Sequence, residues 1–176
     1  MIADPHAKAV PLIDVIRGGR LESQHRGHVV ICDAAGVVGA WGDPDALIYP
    51  RSAIKMIQAL PLVTSGAAEA LSDRRLALAC ASHQGAAIHT EEVTDWLDEL
   101  GLSEADLRCG PQVPDDREAK HGLIRAHGQP DQRHNNCSGK HTGFLMLAQR
   151  LGGGAGQAYI DPAHPVQQAV MEVFET

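Results

Sequence analysis

The chain has 176 residues, of which 44% are hydrophobic, and it carries a formal net charge of −7 at pH 7. This length suits a single domain with a sizeable core, and an acidic chain without a run of Lys or Arg argues against binding to nucleic acids or membrane surfaces. Only two Phe, two Tyr and two Trp are present, so a small polar metabolite is a better expected partner than a stacked base.

The four cysteines are widely spaced and form no C-x-x-C pair, which excludes a zinc knuckle and a thioredoxin-type motif. The N-terminus has neither a basic segment nor an apolar one, and no stretch is long enough to cross a membrane. We therefore expect a cytoplasmic protein with reduced thiols and no membrane partner.

The chain begins with runs of β-branched residues and continues with segments of helical period. The pattern predicts strands over residues 11–17, 28–33 and 37–41, the last two joined by a hairpin turn. It predicts a helix from Ser52 that Pro61 closes, and further helices over residues 67–71, 90–100, 103–107 and 116–126. Strands first and helices after indicate an α+β fold, with an antiparallel sheet and a helical region.

The last predicted helix, residues 165–174, has an apolar face that includes Val166, Val170 and Phe174. It reaches Thr176 without a C-cap, and an amphipathic helix needs a partner for its apolar face. We therefore expect a single domain over residues 1–176 that forms the N-terminal part of a longer catalytic domain.

The segment Asn135–Gly143 brings a thiol, an amine and an imidazole to the first turn of another predicted helix. Residues three and four apart share a helical face, so Cys137 is predicted to lie beside both Lys140 and His141. A thiol at a helix N-terminus has a depressed pKa and is a good nucleophile or metal ligand. This combination indicates a functional site.

The same helix is predicted to begin at an N-cap, Asn135 or Asn136, and to end at the run Gly152–Gly154. Gly139 and Gly143 lower its helix propensity, which suggests that another group approaches this backbone closely.

An S-x-x-K motif joins Ser52 to Lys55 at the predicted start of the first helix. A lysine that is partly buried among apolar residues loses proton affinity through desolvation, so it can take the proton of the neighbouring hydroxyl. This arrangement is typical of serine acyl-transferring enzymes of the penicillin-binding and β-lactamase class.

A third motif, Ala79–Gly85, follows a short apolar run and places Ser82 at the end of a buried element. A hydroxyl next to His83 and a glycine is typical of an active-site turn.

Together the motifs P-R-S-x-x-K, C-A-S-H-Q-G and H-N-N-C-S-G-K-H-T-G resemble those of the asparaginase II family, the rhizobial-type L-asparaginases. The resemblance runs from about Leu12 to the end of the chain. It implies a fold similar to that of serine β-lactamases and penicillin-binding proteins, and hydrolysis of L-asparagine to L-aspartate and ammonia. It also implies that Ser52 and Lys55 form one Ser–Lys pair, and that Ser82 is the hydroxyl of a second.

The resemblance further implies a zinc ion held close to the substrate by Cys137 and Lys140, and a substrate pocket that contains Arg51. We assign Asn136 and His141 to substrate binding as well. A Lys amine is an unusual zinc ligand because it must be deprotonated, so metal and proton compete there.

Two parts that the family implies are absent from this sequence: a further Cys for the zinc site and a Lys that partners Ser82. Both are expected beyond Thr176. A homodimer is the expected assembly.

The residues themselves leave alternatives open. Either Ser52 or Ser82 could attack the carboxamide carbon, with a neutral Lys as general base and backbone N–H groups around the oxyanion. A β-lactamase or D,D-peptidase would use the same S-x-x-K chemistry, but Lys140–Gly143 is only a broken version of the K-T-G element of those enzymes. A non-catalytic zinc module built from Cys137, His141 and His134 is the other alternative.

Overall fold

The computed structural model describes residues 8–153 and 157–175. By its internal contacts the chain divides into two compact units, residues 1–50 and residues 51–176, which we call the strand unit and the helical unit. The prediction of a single domain stays a prediction. Each unit is described by itself.

The strand unit contains two antiparallel hairpins, β1–β2 and β3–β4. Its strands are β1 (Val10–Arg17), β2 (Arg20–Gly27), β3 (Val29–Asp33) and β4 (Gly36–Trp41). The first hairpin turns through Gly18 and Gly19, whose positive φ angles of 57° and 75° suit the mirror-image turns that match strand twist. Strand β2 was not predicted, because most of its side chains are polar.

The helical unit contains six α-helices and four short 3₁₀ turns within its described residues. The helices are α1 (Lys55–Thr64), α2 (Asp73–Cys80), α3 (Ala87–Glu99), α4 (Arg117–Arg125), α5 (Ser138–Arg150) and α6 (Pro165–Glu175). The 3₁₀ turns are Arg51–Ile54, Glu104–Asp106, Gln132–His134 and Gln157–Ile160. Hairpins followed by helices confirm the α+β prediction.

Helix α5 is the centre of the helical unit, because it contacts α1, α2, α3 and α6. Its side chains Leu145, Leu147 and Ala148 are almost fully buried. The rest of the core comes from its neighbours, and it includes Leu62, Leu78, Ala79, Val93, Trp96, Leu97, Leu107, Tyr159, Val166 and Val170. Burial of this apolar surface is the main stabilising contribution to the unit.

Helices α2 and α5 approach closely at Gly139. A Cβ atom placed on Gly139 would come within 2.5 Å of Leu78 Cγ and 2.6 Å of the Leu78 carbonyl oxygen. The group that approaches the backbone at Gly139 is therefore helix α2, which packs against α5.

Near the beginning of this unit two local predictions are wrong and one helix was missed. Pro61 lies inside α1 and does not close it, since the helix continues to Thr64. Residues 67–71 form turns instead of a helix. Helix α2 was missed, although Ser72 caps it by accepting a hydrogen bond from Arg75 N–H at 3.3 Å.

The other helices agree with their predictions to within a few residues, except that the helix predicted over residues 103–107 is the 3₁₀ turn Glu104–Asp106. Cys137, not an asparagine, occupies the N-cap position of α5. That helix ends at Arg150, and Gly152 follows with a φ of 74°. Gly154, the last glycine of the predicted stop, lies outside the described residues.

Candidate active site

Lys55 is buried at the first position of α1, with an exposed fraction of 2%. Its Nζ donates to Ser82 Oγ at 2.8 Å, to the Ala81 carbonyl at 3.0 Å and to the Asn136 carbonyl at 3.2 Å. An ammonium group has three N–H donors, so these three acceptors satisfy it fully. The candidate active site is therefore built around a buried lysine whose amine contacts a serine hydroxyl.

A cavity of about 340 Å³ opens beside this lysine. It brings together most of the predicted site residues, and its lining consists of Arg51, Ser52, Lys55, Gln58, Asn136, Cys137 and Lys140. Ser52 is exposed in the 3₁₀ turn that precedes α1. The cavity therefore presents a hydroxyl, a thiol, two amines and a guanidinium to one small volume.

Arg51 enters this turn with a φ of 49°, in the left-handed region that a residue with a Cβ seldom adopts. Backbone strain of this kind costs about 1–3 kcal/mol and clusters at functional sites. The strained residue directly precedes Ser52, the serine that lines the cavity.

Ser82 lies in the turn that follows α2, and it borders a second cavity of about 540 Å³. The lining of this second cavity is largely apolar and includes Ala77, Leu78, Ala81 and Ile88. Ser82 contacts Lys55, which lines the first cavity, so the two cavities meet at the Lys55–Ser82 pair.

His83 follows Ser82 and is buried. Its Nδ1 accepts a hydrogen bond from Gly85 N–H at 3.1 Å, and its Nε2 is 2.8 Å from Ser138 Oγ at the start of α5. Burial, together with the nearby His89, lowers the pKa of His83 to about 4. The ring is therefore neutral near pH 7, so His83 is a hydrogen-bonding group and not a cation.

Cys137 and Lys140 lie one helical turn apart at the beginning of α5. The Cys137 thiol donates to Asn136 Oδ1 at 3.0 Å, and its backbone N–H donates to Asn135 Oδ1 at 2.9 Å. Lys140 Nζ lies 5.2 Å from the centroid of the Phe144 ring. Burial lowers the pKa of Lys140, while the neighbouring Cys137 acts in the opposite direction.

His141 points into the core. Its Nδ1 shares a hydrogen bond of 2.8 Å with the Tyr159 hydroxyl, whose oxygen also accepts one from Arg108 N–H at 2.7 Å. Burial lowers the pKa of His141 to about 3, and the charge of Lys140 adds to the effect. The predicted role of His141 in substrate binding stays a prediction.

Comparison with protein families identifies the chain: a family model described as L-asparaginase II matches residues 13–176. The chain belongs to the L-asparaginase II family. Membership of this family indicates a hydrolase that acts on amides, and the matched region contains every residue of the site described above. A comparison with curated proteins finds no matching sequence.

In this L-asparaginase II chain Cys137 and Lys140 line one cavity and could supply two of the four ligands that a zinc ion normally has. A thiolate is a preferred zinc ligand, and an amine whose pKa burial lowers gives up its proton to a metal more readily. Among the described residues there is no group of three or more His, Cys, Asp or Glu side chains that could hold a metal. The module of Cys137, His141 and His134 therefore has no structural support.

Two residues near the site escaped the sequence analysis. Cys109 is half-buried, its thiol donates to the Gln132 carbonyl at 3.4 Å, and burial raises its pKa to about 11. Tyr159, fully buried, contacts His141. Neither belongs to a motif with a regular spacing, so only the folded chain reveals them.

No helix within residues 8–153 and 157–175 combines the length and the apolar character needed to cross a membrane.

Proposed function

We propose that this chain carries the reacting serines and the catalytic lysine of an enzyme that hydrolyses L-asparagine to L-aspartate and ammonia. The observation that carries the proposal is the 2.8 Å contact between Lys55 Nζ and Ser82 Oγ, beside a cavity that also contains Ser52. Membership of the L-asparaginase II family supports the choice of substrate.

In the proposed reaction Lys55 first gives up the proton that it holds at rest. Ser52 then attacks the carboxamide carbon from the small cavity, and the Lys55 amine takes the hydroxyl proton. The new C–O bond gives a tetrahedral intermediate, and the negative charge on its oxygen needs hydrogen-bond donors. The C–N bond then breaks, and Ser82 passes a proton from Lys55 to the departing ammonia. Water hydrolyses the resulting ester by the same steps in reverse, which releases L-aspartate and restores Ser52.

The positive charges at the cavity suit the rest of the substrate. Arg51 lines the cavity, and a guanidinium can bind the α-carboxylate of asparagine through two parallel hydrogen bonds. The side chain of Asn136 also faces this region, because its Oδ1 accepts from the Cys137 thiol. We propose that Arg51 and Asn136 orient the amino acid. His141, whose ring bonds to Tyr159, is proposed to support substrate binding from its position on α5.

We further propose that Cys137 and Lys140 hold a zinc ion. Zinc bound there would polarise the carboxamide carbonyl as a Lewis acid. The residues of this chain would contribute the thiolate and a neutral amine, and the charge of the thiolate would be neutralised by the metal. Zinc content measured by elemental analysis should fall to background in Cys137→Ala, and an unchanged content would refute the assignment.

The proposed activity is tested by ammonia release from L-asparagine with the complete protein. Ser52→Ala and Ser82→Ala should each abolish most of the activity, and only Ser82→Ala should still form an acyl-enzyme detectable by mass spectrometry. Hydrolysis of penicillin instead of L-asparagine would replace the proposal with a β-lactamase. We also propose a cytoplasmic homodimer, which light scattering on the purified protein would check.

A further inference from the structure

The three acceptors of the Lys55 amine come from two segments that are distant in sequence. Ala81 and Ser82 belong to the turn after α2, whereas Asn136 precedes α5. The position of Nζ relative to Ser82 Oγ therefore depends on how these two segments lie against each other.

His83 joins the same two segments twice. Its backbone N–H donates to the Asn136 carbonyl at 3.2 Å, the carbonyl that also accepts from Lys55. Its ring Nε2 lies 2.8 Å from Ser138 Oγ, in the first turn of α5. The backbone bond and the ring bond go to residues two positions apart, so together they restrict both the sliding and the separation of the two segments.

Chemistry assigns a direction to every bond of the ring. Gly85 N–H can only donate, so Nδ1 of His83 is an acceptor. The Arg133 carbonyl can only accept, so the Ser138 hydroxyl gives its proton to that oxygen at 2.9 Å. Nε2 must then carry the proton that Ser138 Oγ accepts. One neutral tautomer satisfies the whole chain of bonds.

We propose that His83 is a positioning residue, whose neutral ring holds the Ser82 turn against the start of α5 and so keeps Lys55 Nζ in contact with Ser82 Oγ. The sequence places His83 next to a serine, where it could be taken for a general base. Its ring instead faces Ser138, and both of its nitrogens are occupied. The kinetic part of this inference rests on the proposed function.

Two substitutions separate the two ring bonds. In His83→Gln the amide nitrogen reaches the position of Nε2 and can still donate to Ser138, although the bond with Gly85 is lost. In His83→Asn the shorter side chain can accept from Gly85 but cannot reach Ser138. If the bond to Ser138 positions the turn, His83→Asn should lower activity more than His83→Gln does.

The kinetic test is ammonia release from L-asparagine by the complete protein. A misplacement of about 1 Å costs about 10²-fold in rate, so kcat should fall by this order in His83→Asn with little change in KM. His83→Gln should restore most of the lost kcat. Ser138→Ala should resemble His83→Asn, and the double variant should be no worse than either single one. Equal kcat in the Gln and Asn variants would overturn the inference.

His164 offers a matched control. It is buried to a similar extent as His83, and its Nδ1 also accepts from the N–H two residues later, that of Val166 at 3.2 Å. Among the described residues its Nε2 has no hydrogen-bond partner. His164→Gln and His164→Asn should lower the melting temperature without lowering kcat. A loss of kcat there would show that burial, not the bond to Ser138, is responsible.

A second measurement is independent of activity. NMR of protein labelled at the histidine ring nitrogens should show proton-bearing Nε2 in His83, and selectively labelled Lys55 should change its Cε signal in His83→Asn but not in His83→Gln. If these signals behave so while no ammonia is released, the proposed function fails and the positioning role stands. If the Lys55 signal is the same in all variants, the positioning role fails whatever the activity.

Discussion

The two units of this chain use apolar residues in opposite ways. In the helical unit Trp96, Leu97 and Leu145 are each at most 1% exposed. In the strand unit Ile13 is 62% exposed and Val38 61%. Both regions are rich in hydrophobic residues, so composition alone does not produce a core. Helices packed around α5 cover one another, whereas each two-stranded hairpin leaves its faces open within the described structure.

The candidate site lies in the unit that has the buried core. The residues in contact with Lys55 belong to the helical unit, where buried elements hold them in place. A rigid, buried framework is what a catalytic arrangement needs, because small displacements cost large factors in rate. The following expectations test whether activity and stability both depend on the helical unit more than on the strand unit.

The largest expected effect is on catalysis. Lys55→Ala in the complete protein should lower kcat for L-asparagine at least ~10³-fold, since a positioned base contributes about 10²–10⁴ and the covalent step is lost as well. Lys8→Ala is the control in the strand unit, where the exposed Lys8 pairs with Asp43 at 3.0 Å. It should leave kcat unchanged. A loss below tenfold in Lys55→Ala would remove this lysine from the mechanism.

The next effect is on the core. Leu145→Ala should lower the free energy of unfolding by about 2–5 kcal/mol, because it leaves a cavity at the centre of α5. Ile13→Ala, at an exposed strand position, should change it by less than about 0.5 kcal/mol. Urea denaturation of both variants measures the contrast. Equal losses would show that the strand face is covered in solution.

Stability should also depend on pH through the buried histidines. The usual histidine pKa of 6.5 falls to about 4 in His83 and about 3 in His141, so the unfolded chain binds more protons between these values. Stability is therefore fully present above about pH 6.5 and is lost as the pH falls toward 4 and below. Melting temperatures across this range should show a steeper fall for the wild-type protein than for His141→Gln.

His25, exposed on β2, is the control in the strand unit. His25→Gln should leave the pH profile of the melting temperature as in the wild type. A profile that flattens in this variant and not in His141→Gln would contradict the role of burial.

The smallest effect concerns a single methyl group. Gly139→Ala should cost about 1–3 kcal/mol, since its Cβ would overlap Leu78 at 2.5 Å and force α2 and α5 apart. Gly39→Ala on β4 meets only ordinary contacts with the Trp41 ring at 3.5 Å. It should be neutral or slightly stabilising in the same denaturation assay. A neutral Gly139→Ala would show that the two helices can separate without loss.

The sequence by itself determined the local features of this protein. The end of α5 before Gly152 and the hairpin between β3 and β4 follow from neighbouring residues, and the structure confirms them. The predicted apolar face of α6 is confirmed in part, since Val166 and Val170 are buried whereas Phe174 is 45% exposed. Membership of the L-asparaginase II family followed from three motifs in order. The local sequence pattern did not predict that α1 continues past Pro61 or that α2 forms. At both places the packing of helices within the unit outweighs the helix propensity of the local residues.

Only the tertiary structure decided which groups meet. The sequence paired Lys55 with Ser52 because helical spacing relates them, but the serine hydroxyl to which Lys55 donates is that of Ser82, twenty-seven residues away. The bond from His83 to Ser138 spans a still longer separation. Contacts of this kind depend on how helices pack, which no local period encodes. Burial by distant residues likewise lowers the pKa values of His83 and Lys140.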